Sequence, residues 1–168
     1  MILNGNRRWA RARGKKPWQG HKAGAKKLEQ FLKWSDDLGV KELTLYVFSA
    51  QNMNRTAKEK EFLFKIFKEY FNKYKDDERI KKEQVKINFI GMVEKLPKDL
   101  KTIIKQLKNK TRNYSRKVLN FCMVYGDREE ITNAVKKIAL KVKKALLTQQ
   151  QSLWKLFKSI YGCSQSQT

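Results

Sequence analysis

"ELTLYVFSAQN", residues 42–52, is the stretch on which the fold turns. It is nearly continuous in apolar and β-forming residues, with little polar alternation. A run of that kind suits a strand covered on both faces, as in a parallel sheet. Upstream, Leu28, Phe31, Leu32 and Leu38 recur at helical spacing with Ser35 on the same face. That pattern predicts a helix from His21, with Glu29 and Lys33 as an i,i+4 pair and Gly39 as its stop. Downstream, residues 58–74 place Phe62, Leu63, Ile66, Phe67, Tyr70, Phe71 and Tyr74 on one helical side.

The alternation continues. "VKINFIG" (85–91) reads as a strand, Leu100, Ile103, Ile104 and Leu107 as a helix, and "KVLNFCMVYG" (117–126) as another strand. A last helix is predicted from Asp127, capped by that residue, with Glu130 closing a capping box. Its buried stripe would be Ile131, Val135, Ile138 and Val142. At the other end, Met1 to Leu3 is an apolar strand stub stopped by Asn-Gly-Asn. Strand and helix in turn predict an α/β fold: a single domain with a mainly parallel sheet flanked by helices. The boundary is expected at 1–147. Residues 148–168 form a divergent tail, with "TQQQSLWKLFKSIYG" as a short amphipathic helix and "CSQSQT" as a frayed end.

A chain of 168 residues that is 40% hydrophobic has enough apolar material for one real core. Its 39 Lys+Arg against 16 Asp+Glu give a net charge of +23, which favours anionic partners: nucleic acid, an acidic membrane face or phosphorylated substrates. Two cysteines make neither a disulfide framework nor a metal quartet, so a reducing compartment is expected. No run is long and apolar enough to span a bilayer, and no signal peptide opens the chain. The expectation is a cytoplasmic protein, at most peripheral to the membrane.

In open α/β sheets, ligands sit beyond the carboxyl ends of strands. Three segments fall there: 4–9, 49–55 and 125–128. In the first, Asn4, Gly5 and Asn6 turn the chain while Arg7 and Arg8 can grip phosphate oxygens in pairs. "GHKAG" (20–24) could open a helix nearby, with His21 as a phosphate donor. A P-loop is excluded by the glycine spacing of "GKKPWQGHK" and the lack of Ser or Thr after its lysine.

Taken together, "NGNRRWARARG…GHKAG", "LTLYVFSAQNMNR" followed by Glu59, and "YGDREEI" resemble the cis-prenyltransferase family, the undecaprenyl and related polyprenyl diphosphate synthases. "NGNRRWAR" looks most like archaeal members. The resemblance implies condensation of isopentenyl diphosphate onto an allylic prenyl diphosphate, with a hydrophobic tunnel that the 62–74 aromatics could help wall. It implies diphosphate binding by Gly5, Asn6, Arg7, Arg8 and Trp9, and substrate contacts from His21, Ser49, Ala50, Gln51, Met53 and Arg55. Asn52 would handle the proton as a catalytic residue, and Glu59 would orient Arg55.

Asn4 stands where the family has a catalytic aspartate that binds Mg²⁺, so metal binding and turnover are expected to be impaired. Gln51, Met53 and Pro17 also depart from the family pattern. Nothing after Val142 resembles the family's later isopentenyl-binding and dimer-forming segment, and the expectation is a family domain trimmed at both ends. A homodimer is implied by the family with its interface segment missing here. A non-catalytic prenyl-diphosphate-binding subunit is one alternative. The other is a basic nucleic-acid-binding protein, using Arg7, Arg8, Arg11, Arg13, Lys15 and Lys16 among Trp9 and Trp18. No RNA-binding signature accompanies that charge.

Overall fold

The computed structural model describes residues 1–143; the expected tail helix and frayed end, and Cys163, lie outside the described residues. The elements run α1 (Asn6–Arg11), α2 (Pro17–Asp37), β1 (Glu42–Ser49), α3 (Ala57–Lys75), α4 (Glu78–Lys82), β2 (Val85–Ile90), α5 (Lys98–Thr111), β3 (Lys117–Tyr125) and α6 (Asp127–Lys143). Single 3-10 turns occupy Ala50–Asn54 and Val93–Lys95. The three strands form one sheet in the order β1-β3-β2, parallel as the apolar runs require. β2 pairs with β3 in the register Ile87 to Leu119 and Phe89 to Phe121.

The chain divides into two compact units, Met1–Val124 and a second that opens at Tyr125. In the first, Phe71 meets Phe89 at 5.0 Å and Phe121 at 5.2 Å between ring centres, and Phe89 meets Phe121 at 5.4 Å. Leu63, Ile66, Phe67 and Tyr74 of α3, and Leu100, Ile104 and Leu107 of α5, are buried with them. The α3 aromatics thus serve the core, while Phe62 packs at 6.3 Å from Trp18. Thr111 fixes α5 to the sheet: its buried hydroxyl donates to the Leu107 carbonyl at 3.0 Å and accepts from the Ile87 N–H at 3.1 Å. With both roles filled, its hydrogen bonds offset the cost of taking the hydroxyl out of water.

Several local expectations are corrected. The stub at 1–3 is a single parallel bridge, Ile2 to Tyr46, rather than a strand. Residues after Gly5 wind into α1 instead of a loop. The next helix starts at Pro17, four residues before His21, because proline is preset for the first helical position and Gln19 Oε1 accepts the Lys16 N–H at 2.9 Å. β1 stops at Ser49, where a 3-10 turn takes over. Glu29 pairs with Lys73 of α3 rather than with Lys33. Gly39 does end α2, with φ 71° and amides at Gly39 and Val40 bonded back to Asp36 and Ser35.

In the second unit, Glu130 N–H bonds the Gly126 carbonyl at 2.9 Å, and the Asp127 side chain expected to cap α6 lies outside the described side chains. Glu130 Oε2 is buried without a partner among the described residues. Of the expected apolar stripe, Ile138 is half-buried while Ile131 and Val135 are exposed, and Ala134, outside that stripe, is buried. The Val142 side chain lies outside the described residues.

Candidate functional site

Two glycines of α2 position the first basic segment. A Cβ on Gly20 would lie 2.1 Å from the Asn6 carbonyl oxygen, and one on Gly24 would lie 2.4 Å from Asn6 Oδ1. At Gly20 the obstacle is Asn6 backbone, so only bare backbone there lets α1 lie this close to α2; at Gly24 it is the Asn6 side chain. Gly20 and Gly24 are thus packing residues inside α2, not the helix N-terminus that "GHKAG" suggested. Gly5 makes the turn into α1 with φ 85°, a conformation that favours glycine. Its carbonyl accepts the Trp9 N–H at 2.9 Å.

On the other side, β1 ends in a reciprocal cap. Ser49 N–H donates to Asn52 Oδ1 and Asn52 N–H donates to Ser49 Oγ, each at 3.2 Å. The turn it closes leads to Arg55. Thr56 then caps α3 by accepting the Glu59 N–H at 3.3 Å, and this sets Glu59 in the first helical turn.

Glu59 is where the two sides meet. Its Oε1 lies 3.1 Å from His21 Nε2, 3.1 Å from Arg55 Nη1 and 3.8 Å from Arg7 Nε. The short contact to a carboxylate assigns the neutral Nε2–H tautomer to His21, leaving Nδ1 as its acceptor. Arg55 Nη1, 3.4 Å from the same ring nitrogen, shares the carboxylate oxygen with it. His21 is buried, and that desolvation is the main force holding its pKa below 6.5. The hydrogen bond to Glu59 opposes it, and the Arg55 and Arg7 charges reinforce it. Burial likewise lowers the pKa of Arg55, opposed by Glu59.

That direction fixes a pH dependence. The unfolded chain binds a proton at His21 near pH 6.5, while the folded site binds it only at lower pH. Stability from this group is therefore complete above about pH 6.5 and falls as the pH drops toward the folded value. Urea midpoints should decline below pH 6.5 in the native chain and decline less steeply in His21→Gln. An equal slope in both would show that His21 does not carry the effect.

Among the residues expected at the site, Arg7, His21 and Arg55 converge through Glu59. Ser49, Ala50 and Asn52 form the turn that leads to Arg55. Met53 packs against the core, and its carbonyl accepts from Lys60 Nζ at 3.0 Å. Gln51 and Arg8 are exposed, and Asn4 is exposed just ahead of Gly5. Asn6 is half-buried, with its amide lodged at Gly24. Trp9 is exposed and carries the Arg13 guanidinium 4.6 Å from its ring centre. The segment 125–128 belongs to the second unit.

These residues do not fit a protein-held Mg²⁺. That ion takes one or two carboxylates together with substrate phosphates. Asn4 offers an amide, and Glu59 is engaged by two arginines and a histidine. Among the described residues no group of three His, Cys, Asp or Glu gathers.

Comparison with known proteins finds prenyl diphosphate synthases. The chain is 43% identical over 142 residues to the tritrans,polycis-undecaprenyl-diphosphate synthase (geranylgeranyl-diphosphate specific) of Pyrococcus horikoshii, covering 84% of this chain and 54% of the relative. It is 37% identical over 163 residues to the enzyme of the same name from Archaeoglobus fulgidus, covering 96% and 65%. The chain thus spans about half to two thirds of the length of these relatives. Lavandulyl diphosphate synthase from Lavandula x intermedia, crystallised with dimethylallyl diphosphate, superposes with a TM-score of 0.86 at 29% identity, covering 94% of this chain and 67% of that one. A probable undecaprenyl diphosphate synthase from Campylobacter jejuni shares the fold, with a TM-score of 0.66 at 22% identity over 83% of this chain and 64% of that one. Residues 2–165 match the Prenyltransf family, described as undecaprenyl diphosphate synthase, and with that match the chain belongs to this family of prenyltransferases.

Proposed function

We propose that the chain binds an allylic prenyl diphosphate where β1 ends and α1 begins, and that isopentenyl diphosphate is the second substrate of the site. The observation that carries this reading is the convergence of Arg7, His21 and Arg55 on one carboxylate beside the Gly5 turn. Arg7, Arg8 and Arg55 supply charge-assisted donors to diphosphate oxygens. Asn52 Oδ1 already accepts from Ser49, so Asn52 presents its Nδ2 hydrogens and acts as a donor rather than a base. In the condensation, the allylic C–O bond breaks and diphosphate departs. The isopentenyl double bond then attacks, and a proton leaves to form the new alkene.

Asn4 slows this reaction because the position lacks the negative charge that an aspartate would bring, and Mg²⁺ belongs to the reading only as an ion carried in by diphosphate. Geranylgeranyl diphosphate is the primer to test first, since the archaeal relatives are named for it. It should raise the melting temperature, because a ligand that binds only the folded state stabilises it. No shift at saturating ligand would overturn the binding reading. Labelled isopentenyl diphosphate should be incorporated at least about tenfold faster by Asn4→Asp than by the native chain, equivalent to about 1.4 kcal/mol in the barrier. Equal rates would remove Asn4 as the cause of weak turnover.

The nucleic-acid reading is the weaker one. Trp9 already carries Arg13 and Lys15, and Trp18 carries Lys16 and Lys58, at 4.6–5.6 Å from the ring centres. Rings engaged in this way make poor platforms for stacked bases.

A further inference from the structure

The diphosphate site uses only a few of the chain's basic residues, and α5 carries a separate group of them. Lys101, Lys105, Lys108 and Arg112 follow one another at i, i+4, i+7 and i+11, which puts them on one helical stripe. The first three border a groove of about 310 Å³ at the β2 edge of the sheet, whose apolar floor is Phe89, Val93 and Ile104. Lys101 Nζ donates to the Glu94 carbonyl at 3.3 Å. Among the described residues Lys105, Lys108 and Arg112 meet no carboxylate. Glu94 is the only acidic residue of the groove lining.

We propose that this groove seats the protein on an anionic membrane surface, its floor receiving an acyl chain while Lys105, Lys108 and Arg112 meet the headgroup phosphates. Cations above an apolar slot complement a lipid, which carries its negative charge directly above hydrocarbon. Long lysine stems reach such a boundary with the charge still hydrated. A nucleic acid fits less well. Phe89, the one aromatic residue of the groove lining, is only 8% exposed, so it presents no ring face for a base to stack on. No described helix is long and apolar enough to cross a membrane, so the contact is one of the surface.

Each basic residue near an anionic bilayer contributes about 1 kcal/mol, so neutralising two should weaken binding roughly 30-fold. The test is co-sedimentation of the full chain with vesicles of phosphatidylcholine alone or mixed equally with phosphatidylglycerol. The native chain should bind only the anionic vesicles. Lys105→Gln/Lys108→Gln should show the 30-fold loss, while Lys26→Gln/Lys33→Gln on α2 removes the same charge and should bind nearly as the native chain does. Circular dichroism confirms that both double variants fold. Equal losses in the two pairs would reduce the effect to net charge and overturn the proposal. So would undiminished binding in Lys105→Gln/Lys108→Gln, or a chain that ignores anionic vesicles and loses oligonucleotide binding through the same pair. This inference is independent of prenyl diphosphate binding, which the α5 substitutions should leave intact.

Discussion

Gly20→Ala should lose about 2 kcal/mol of stability and with it the thermal shift produced by geranylgeranyl diphosphate. The added methyl would stand 2.1 Å from the Asn6 carbonyl oxygen, 2.9 Å from its carbon and 3.0 Å from Ala10 Cβ. Most of that is backbone, which cannot rotate away, so α1 must move off α2. Overpacking of this kind costs about 1–3 kcal/mol, and alanine returns up to about 1 kcal/mol in helix propensity. Arg7 and Arg8 travel with α1, so the ligand effect should disappear even though the sheet and α3 remain folded. Gly24→Ala should be milder. Its methyl meets the Asn6 side-chain amide, which can turn aside. A Gly20→Ala chain that melts and binds ligand like the native protein would show that α1 does not depend on this close approach.

The second large effect belongs to Glu59. Its side chain is 11% exposed and faces His21 and Arg55, 7% and 20% exposed, with the more open Arg7 behind them. Glu59→Gln keeps an acceptor for the neutral His21 but removes the only anion among the described residues that opposes two guanidinium groups. Breaking a buried pair on one side costs about 3–5 kcal/mol, and the 44% exposure of Arg7 puts this case near the lower end. Urea unfolding should register a loss of about 3 kcal/mol. Inorganic pyrophosphate should restore more stability to the variant than it adds to the native chain, because it supplies the missing negative charge to the same arginines. If pyrophosphate stabilises both equally, the arginines around Glu59 are not where the anion binds.

Much of the first unit could be read from the sequence because its signals are local. The apolar run around Leu45 and Phe48 marks β1, and the spacing of Leu63, Ile66, Phe67 and Phe71 marks the buried side of α3. The resemblance to the prenyltransferase family rests on separate short segments, and the family match bears it out. Element starts were harder to place. Pro17 and Gln19 move the start of α2 four residues upstream of His21, and the Ser49–Asn52 cap ends β1 earlier than its apolar composition suggests. In α6, Ile131 and Val135 follow helical spacing yet are exposed, since periodicity tells which side of a helix is apolar but not whether anything covers it.

The alternation of strands and helices, the α3 core face and the family are legible in residue order alone, because hydrophobic period and motif order are properties of neighbouring residues. Closure of the chain was needed to show that Gly20 and Gly24 seat Asn6, that Glu59 joins Arg7 and His21 to its neighbour Arg55, and that the α5 lysines border an apolar groove. Apart from the neighbouring Arg55–Glu59 pair, these pairings join residues 14 to 52 positions apart, or a strand to a later helix. Their energies come from burial and charge proximity, which exist only once the chain has closed on itself.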